Sequence, residues 1–232
     1  MFAIIITDIL CHKIKSFTLI IAVRSQKSRD PHKTIMSSLS SLSNIITIGA
    51  GCYWGTEKYV KKDFQAMFPN SIKSARVGFM SPNDANLITE PTYRQVCSGK
   101  TGFVEVLHVE LNNDDGKTDS VKLFENLIKF FFQFHDPTTV DRQGNDVGTQ
   151  YASVIYVHDD EQERIVNKVI EELQLALDKG EVRNPYYGKK IVTKVWKATQ
   201  FYPAHEEHQE YLMKNPNGYC NHYYRFKEWP LN

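Results

Sequence analysis

The chain has 232 residues, 41% hydrophobic and 24% charged, the balance of an ordinary globular protein with room for one substantial domain. Its 28 lysines and arginines against 27 acids leave a formal net charge of +1, so no global pull toward nucleic acid or an anionic membrane is expected. Four widely spaced cysteines (Cys11, Cys52, Cys97 and Cys220) without a C-x-x-C pair argue against a disulfide scaffold and a zinc ribbon; they fit a reducing, cytoplasmic setting with one chemically active thiol.

Residues 1–43 read as an extension. "MFAIIITDILCHKIKSFTLIIAV" is apolar but interrupted by Asp8, His12, Lys13 and Lys15, which makes a poor membrane span. It lacks the layout of a secretory signal. The Ser-rich stretch that follows has linker composition. Its Arg, Lys and Ser content admits a mitochondrial presequence, against which Asp8 and Asp30 count, and a translation start at Met36 is the alternative. A single domain is expected over residues 44–232.

Within that domain, 44–49 reads as a buried strand ended by Gly49 and Gly51. Tyr53, Val60, Phe64 and Met67 then fall at helical spacing until Pro69-Asn70. A strand over 72–79 leads into a polar loop containing Pro82, Asn83 and Asp84, and a strand is predicted over 102–111. A helix over 119–134 turns Phe124, Leu127, Ile128 and Phe131 to one face, with Phe130-Phe131-Phe132 assigned to the core. After a loop rich in Asp, Gly and Pro, 151–157 reads as a strand. Asp159 or Asp160 then caps a helix whose Ile165, Val169, Leu173 and Leu177 repeat at helical spacing. "KKIVTKVW" makes a last strand, a short helix begins near Pro203, and the tail has turn residues without a period. The alternation predicts an α+β fold: a two-layer α/β sandwich, a ferredoxin-like mixed sheet with helices packed on it and a long irregular C-terminal tail.

The junction "IITIGAGCYWGTEKYV" places Cys52 where a strand gives way to a helix. Gly49, Gly51 and Gly55 approach a dinucleotide fingerprint, but the second strand ends without the acid a ribose needs, and Tyr53-Trp54 put bulk where a pyrophosphate would lie. A buried structural thiol is a second reading. A nucleophile is the third: the N–H groups and dipole of a helix start favour the thiolate, and neighbouring glycines let another molecule approach. Glu105 strengthens this third reading. It shares a strand face with Phe103, Leu107, Val109 and Leu111, where a charged carboxylate is costly and its pKa should rise, suiting a general acid. A place at the strand edge, or a lysine partner, is the plain alternative.

"GCYWGTE", "PTYRQVCSGKTGFVEV", "FFQFHDPTT", "DRQGNDVGTQYAS" and "FYPAHEEHQEYLMKNPNGYC" occur in order, and over residues 44–226 the chain resembles the A-type peptide methionine sulfoxide reductases. The resemblance implies a Cys52 nucleophile, with Tyr53 (usually Phe) and Trp54 walling the substrate's S-methyl group. It implies Glu105 as the acid, Tyr93 and Tyr151 as donors to the sulfoxide oxygen, and Asp146 as holder of the substrate backbone. Cys220 matches a resolving cysteine. The family's reaction reduces the S epimer of methionine sulfoxide, with thioredoxin as reductant, and needs no cofactor or metal; a monomer is expected.

Two departures stand out. Phe103-Val104 replaces the usual His-Ala before Glu105, and no cysteine follows Cys220, which puts a relay of two successive disulfides in doubt.

Other candidates are plainer. Cys97 reads as a core or loop thiol. His205 and His208 form an H-x-x-H pair without a third ligand at matching spacing; His208 matches a family histidine near the tail, which implies an orienting or structural hydrogen bond. A cysteine hydrolase using Cys52 with His208 as base, and a module that binds oxidised methionine without turnover, remain as alternatives.

Overall fold

The computed structural model describes residues 42–82, 88–112 and 119–231. The extension expected over 1–43 therefore lies outside the described residues except for Leu42 and Ser43. Leu42 packs on the core, and the Ser43 N–H donates to Asp159 at 2.7 Å.

Strand β1 (Ile45–Ala50) runs into helix α1 (Tyr53–Lys58), which continues through a π-helical segment (Tyr59–Phe64) and a last turn, α2 (Gln65–Met67). Strand β2 (Ile72–Met80), a short helix α3 (Tyr93–Cys97) and strand β3 (Val104–Leu111) follow. Helix α4 (Ser120–Phe134) leads to a small hairpin of β4 (Arg142–Gln143) and β5 (Asp146–Val147), then a 3-10 turn (Thr149–Tyr151) and β6 (Ser153–Val157). Helix α5 (Asp160–Lys179), β7 (Lys194–Lys197), β8 (Tyr202–Pro203) and α6 (Tyr211–Lys214) complete the order.

The main sheet has six strands in the order β7-β6-β1-β3-β2-β8. Only β6 and β7 pair in parallel. Because β1 and β2 both run antiparallel to β3, the α1 segment is a crossover between two parallel strands, and β3 fills the gap between them. The same holds for β3, α4 and β6 around β1. Two interlocked split βαβ units of this kind make the ferredoxin-like sandwich that the alternation predicted.

Capping sets the helix starts. Asp119 accepts from the Lys122 N–H at 3.1 Å, and Asp159 accepts from the Gln162 N–H at 2.8 Å. One face of the sheet (Ile46, Ile48, Val77, Leu107, Ile155) is covered by α1, α4 and α5. All four phenylalanines at the end of α4, Phe130, Phe131, Phe132 and Phe134, are buried there. Each such side chain contributes roughly 1.5–3 kcal/mol by leaving water. A smaller cluster on the opposite face (Met80, Val106, Val154, Tyr156) is closed by Trp196 and Phe201.

Three local expectations need correction. A regular helix was predicted to bury Met67, which is 47% exposed. The π turns carry more residues per turn, so Tyr59, Val60 and Phe64 all reach the core and the next turn rotates out of phase. Tyr151 does not begin a strand; it ends the 3-10 turn, which swings it out of the sheet. Asn83 and Asp84 of the expected polar loop lie outside the described residues, and the segment after it contains helix α3, started by a capping box in which Thr92 and Gln95 satisfy one another's backbone N–H groups.

Candidate active site

Cys52 stands at the C-terminal end of β1, directly before α1, and its side chain is 8% exposed. Gly51 has φ +88, and a Cβ there would lie 2.4 Å from the Gln143 side chain. At Gly55 an added Cβ would meet His222 at 2.0 Å. The glycines around Cys52 therefore admit this chain's own Gln143 and His222, rather than another molecule as the sequence suggested. His222 completes the enclosure from the tail, its Nε2 lying 2.6 Å from the Ala50 carbonyl oxygen.

Glu105 lies in β3, between β1 and β2, and is 1% exposed. It is neither at a sheet edge nor paired with a lysine: a carboxyl oxygen accepts the Tyr53 backbone N–H at 3.1 Å. Burial pushes its pKa up to about 8, the Tyr53 N–H opposes that rise, and the charge of Asp146 adds to it. At neutral pH Glu105 holds a proton. Its charge, once formed, would raise the pKa of Cys52, Tyr53, Tyr93, Cys97 and Tyr151, which marks these side chains as its surroundings.

The expectation of a resting thiolate fails. Burial raises the Cys52 pKa first and Glu105 second, while a backbone hydrogen bond from Trp54 opposes them. A helix dipole supplies about 0.3–1 kcal/mol. Desolvation of a buried group can shift a pKa by as much as 3–5 units, and each unit is worth about 1.4 kcal/mol, so burial wins. Cys52 rests as a thiol.

The wall beside it is aromatic. Tyr53 is fully buried, with ring centroids 5.9 Å from Phe79 and 6.3 Å from Trp54. Trp54 stacks on Tyr211 at 3.9 Å and on His208 at 5.8 Å, and His208 lies 4.5 Å from the Tyr93 ring. The Nδ1 atom of His208 has no hydrogen-bond partner. His208 thus braces rings instead of orienting a neighbour by a hydrogen bond. No group of three or more His, Cys, Asp or Glu side chains suited to a metal occurs among the described residues.

Tyr93 and Tyr151 are half-buried, and the Cys97 thiol interacts with both hydroxyls. Burial raises both phenol pKa values, so each stays a neutral donor. The sequence reading of Cys97 as a core or loop thiol missed this position. Asp146, on β5, accepts from the Tyr219 hydroxyl at 3.1 Å and from the Asn221 amide at 2.7 Å. Asn221 also donates to the Gln143 carbonyl at 2.6 Å. These two tail residues flank Cys220, so the irregular tail is tied down on both sides of it. The charge of Cys220 reaches Cys52. Cys52, Cys97 and Cys220 are all free thiols.

Sequence reasoning missed three residues here. Tyr211, three positions after His208, closes the Trp54 stack. Asn221, next to Cys220, holds Asp146. Glu57, the acid of "GCYWGTE", is 1% exposed with its pKa pushed up to about 7 by burial. It accepts the Glu210 N–H at 2.7 Å and so ties α1 to the segment carrying His208 and Tyr211.

A buried thiol, a protonated carboxyl group and two phenols under an aromatic wall define a thiol-based redox site, with one group to attack and several to protonate an oxygen. Residues 44–230 match the family model described as peptide methionine sulfoxide reductase, and the chain belongs to that family. It is 42% identical over 176 residues to a peptide methionine sulfoxide reductase MsrA of Mycoplasma genitalium, covering 76% of this chain and 96% of that protein. The probable peptide methionine sulfoxide reductase of Schizosaccharomyces pombe is 36% identical over 185 residues, 78% of this chain and 96% of that one. Among solved structures, reduced Mxr1 from Saccharomyces cerevisiae superposes with a TM-score of 0.65 at 34% identity, covering 81% of this chain and 94% of that chain. Methionine sulfoxide reductase A of Corynebacterium diphtheriae gives 0.54 at 33%, over 76% and 77%.

Proposed function

We propose that this chain reduces the S epimer of methionine sulfoxide, free or in proteins, to methionine, and so repairs oxidised proteins. The observation that carries the reading is the protonated Glu105 held beside the Cys52 thiol by the Tyr53 N–H. A sulfoxide oxygen leaves sulfur only once protonated. The Glu105 proton moves to that oxygen, and the carboxylate so formed takes the Cys52 proton as the thiol sulfur attacks. Tyr93 and Tyr151 donate hydrogen bonds to the oxygen, Tyr53 and Trp54 wall the S-methyl group, and Asp146 holds the substrate backbone. Methionine departs and Cys52 is left as a sulfenic acid.

Cys220 then condenses with the sulfenic acid, releasing water and forming a Cys52–Cys220 disulfide, which thioredoxin reduces by exchange. Residues 221–232 hold no cysteine, and in this reading the disulfide itself meets the reductant. We further propose that the domain spans 44–232 and acts as a monomer in the cytoplasm, or in mitochondria should residues 1–43 serve as a presequence. No helix among the described residues is long and apolar enough to cross a membrane.

The test is incubation with separated methionine sulfoxide epimers and dithiothreitol, following methionine release. Release from the S epimer is expected. Release from the R epimer alone, or from neither, overturns the reading. The hydrolase alternative lacks support, because His208 Nδ1 has no hydrogen-bond partner and the ring packs on Trp54 and Tyr93.

A further inference from the structure

We propose that a cavity of about 720 Å³ between α5 and the C-terminal tail is a second binding site, which takes a carboxylate carried on an apolar body. Its volume falls in the range of small-ligand pockets, roughly 300–1,000 Å³. Leu173 and Leu177 of α5 and Phe226 of the tail form the apolar wall, and none of the lining residues belongs to the Cys52 site.

Arg225 gives the cavity its chemistry. Its side chain is 4% exposed and lines the space, its guanidinium 3.9 Å from the Tyr223 ring and 5.9 Å from that of Tyr187. Its backbone N–H donates to the Gln133 carbonyl at 2.7 Å, which fixes it in place. One guanidinium N–H reaches the Tyr223 hydroxyl, whereas Nε is buried without a partner. The acid facing it, Asp136, stands 3.7 Å away. That carboxylate already accepts from the Thr138 N–H at 2.9 Å, the Thr138 hydroxyl at 2.5 Å and the Tyr187 N–H at 2.9 Å. A buried guanidinium with five donors and so little acceptance is incomplete.

Charge selects the ligand. Arg225 and the exposed Arg183 line the cavity, and Asp136 offsets one of them, so one positive charge is left for a monoanion. A carboxylate can accept from the guanidinium where it lines the cavity. Tyr187, 82% exposed, then closes over the apolar body. A free aryl or alkyl carboxylate and the C-terminus of a peptide present the same chemistry.

Calorimetry on the full chain at low salt tests this with three probes: 3-phenylpropionate, N-acetyl-phenylalanine and N-acetyl-phenylalaninamide. Saturable binding of an acid at one site is expected, with the amide roughly ten- to a hundredfold weaker, as loss of a charge-assisted hydrogen bond implies. Equal binding of both acids assigns a simple carboxylate; binding of the acetylated acid alone assigns a peptide end. Arg225→Lys should weaken binding with the circular dichroism spectrum unchanged, and Tyr187→Ala should do so at a position where no core packing is lost. Absence of saturable binding by either acid, an amide as tight as its acid, or wild-type affinity in Tyr187→Ala would overturn the proposal.

Discussion

The backbone N–H of Tyr53 donates to the Glu105 carboxyl at 3.1 Å, joining the start of α1 to the start of β3. The residue after the thiol therefore aims the proposed proton donor. Because burial holds the Glu105 pKa near 8, the acid form is the working form at neutral pH. Reduction should decline as pH rises through about 8, and Glu105→Gln should lose that limb and roughly 10²–10⁴-fold in single-turnover rate with little change in substrate binding. An unaltered rate and profile would leave Glu105 structural.

The same shift has a stability consequence. Folding raises this carboxyl's pKa from 4.5 to about 8, so the folded state binds the extra proton between those values. Its contribution is most favourable below pH 4.5 and is lost as pH rises to about 8. Glu105→Gln should gain stability relative to wild type across that window. Denaturant midpoints at pH 5 and pH 8.5 check the sign.

Cys52→Ser should abolish reduction while leaving the fold intact, since a serine hydroxyl cannot attack and be oxidised as sulfur can. Substantial activity in that variant, assayed with dithiothreitol, would move the nucleophile to Cys97 or Cys220.

Tyr211→Ala removes the 3.9 Å stack that supports Trp54. Aromatic pairs are worth about 0.5–1.5 kcal/mol, so kcat/KM should fall roughly two- to tenfold, mainly through KM. A purely kcat effect would place Tyr211 in the chemistry instead.

Gly55→Ala forces a methyl group into the His222 ring, 2.0 Å from its nearest atom. Overpacking of this kind typically costs about 1–3 kcal/mol, and here it should also lift the tail that carries Cys220. Thermal denaturation reads the first effect, and slower disulfide formation after one turnover reads the second.

Cys220→Ser should release about one methionine per enzyme and then fail to cycle with thioredoxin, in keeping with a single resolving thiol. Mass spectrometry of oxidised wild type should show Cys52 linked to Cys220. Cys97 is the competitor to watch, because its thiol interacts with both Tyr93 and Tyr151. A Cys52–Cys97 link with normal cycling in Cys220→Ser would refute the scheme.

Much of this was legible in one dimension. Period-2 alternation put Glu105 on the same face as Phe103, Leu107, Val109 and Leu111, and four of these five side chains do pack into the larger core cluster around it. Apolar spacing located α4 and α5, the latter with its capping aspartate, because those signals act over three or four residues and owe little to the rest of the chain. Five ordered motifs were enough to mark the family.

Local pattern failed where distant groups set the outcome. The π turns after Lys58 rotated Met67 into solvent, a phase shift that periodicity cannot reveal. The helix-start argument for a Cys52 thiolate was sound locally but was outweighed by burial, which depends on Gln143 and His222 closing over Gly51 and Gly55. Asp146 meets Tyr219 and Asn221 across more than seventy residues, Tyr211 finds Trp54, and Cys97 reaches Tyr151; none of these pairings has a spacing to read. Which elements form, and which residues can attack or donate a proton, follow from the order of residues, since propensity, capping and side-chain chemistry are local. Which groups are dry, which pKa values rise and which ring braces which were decided by the tertiary structure alone, because desolvation and stacking depend on neighbours brought together from distant parts of the chain.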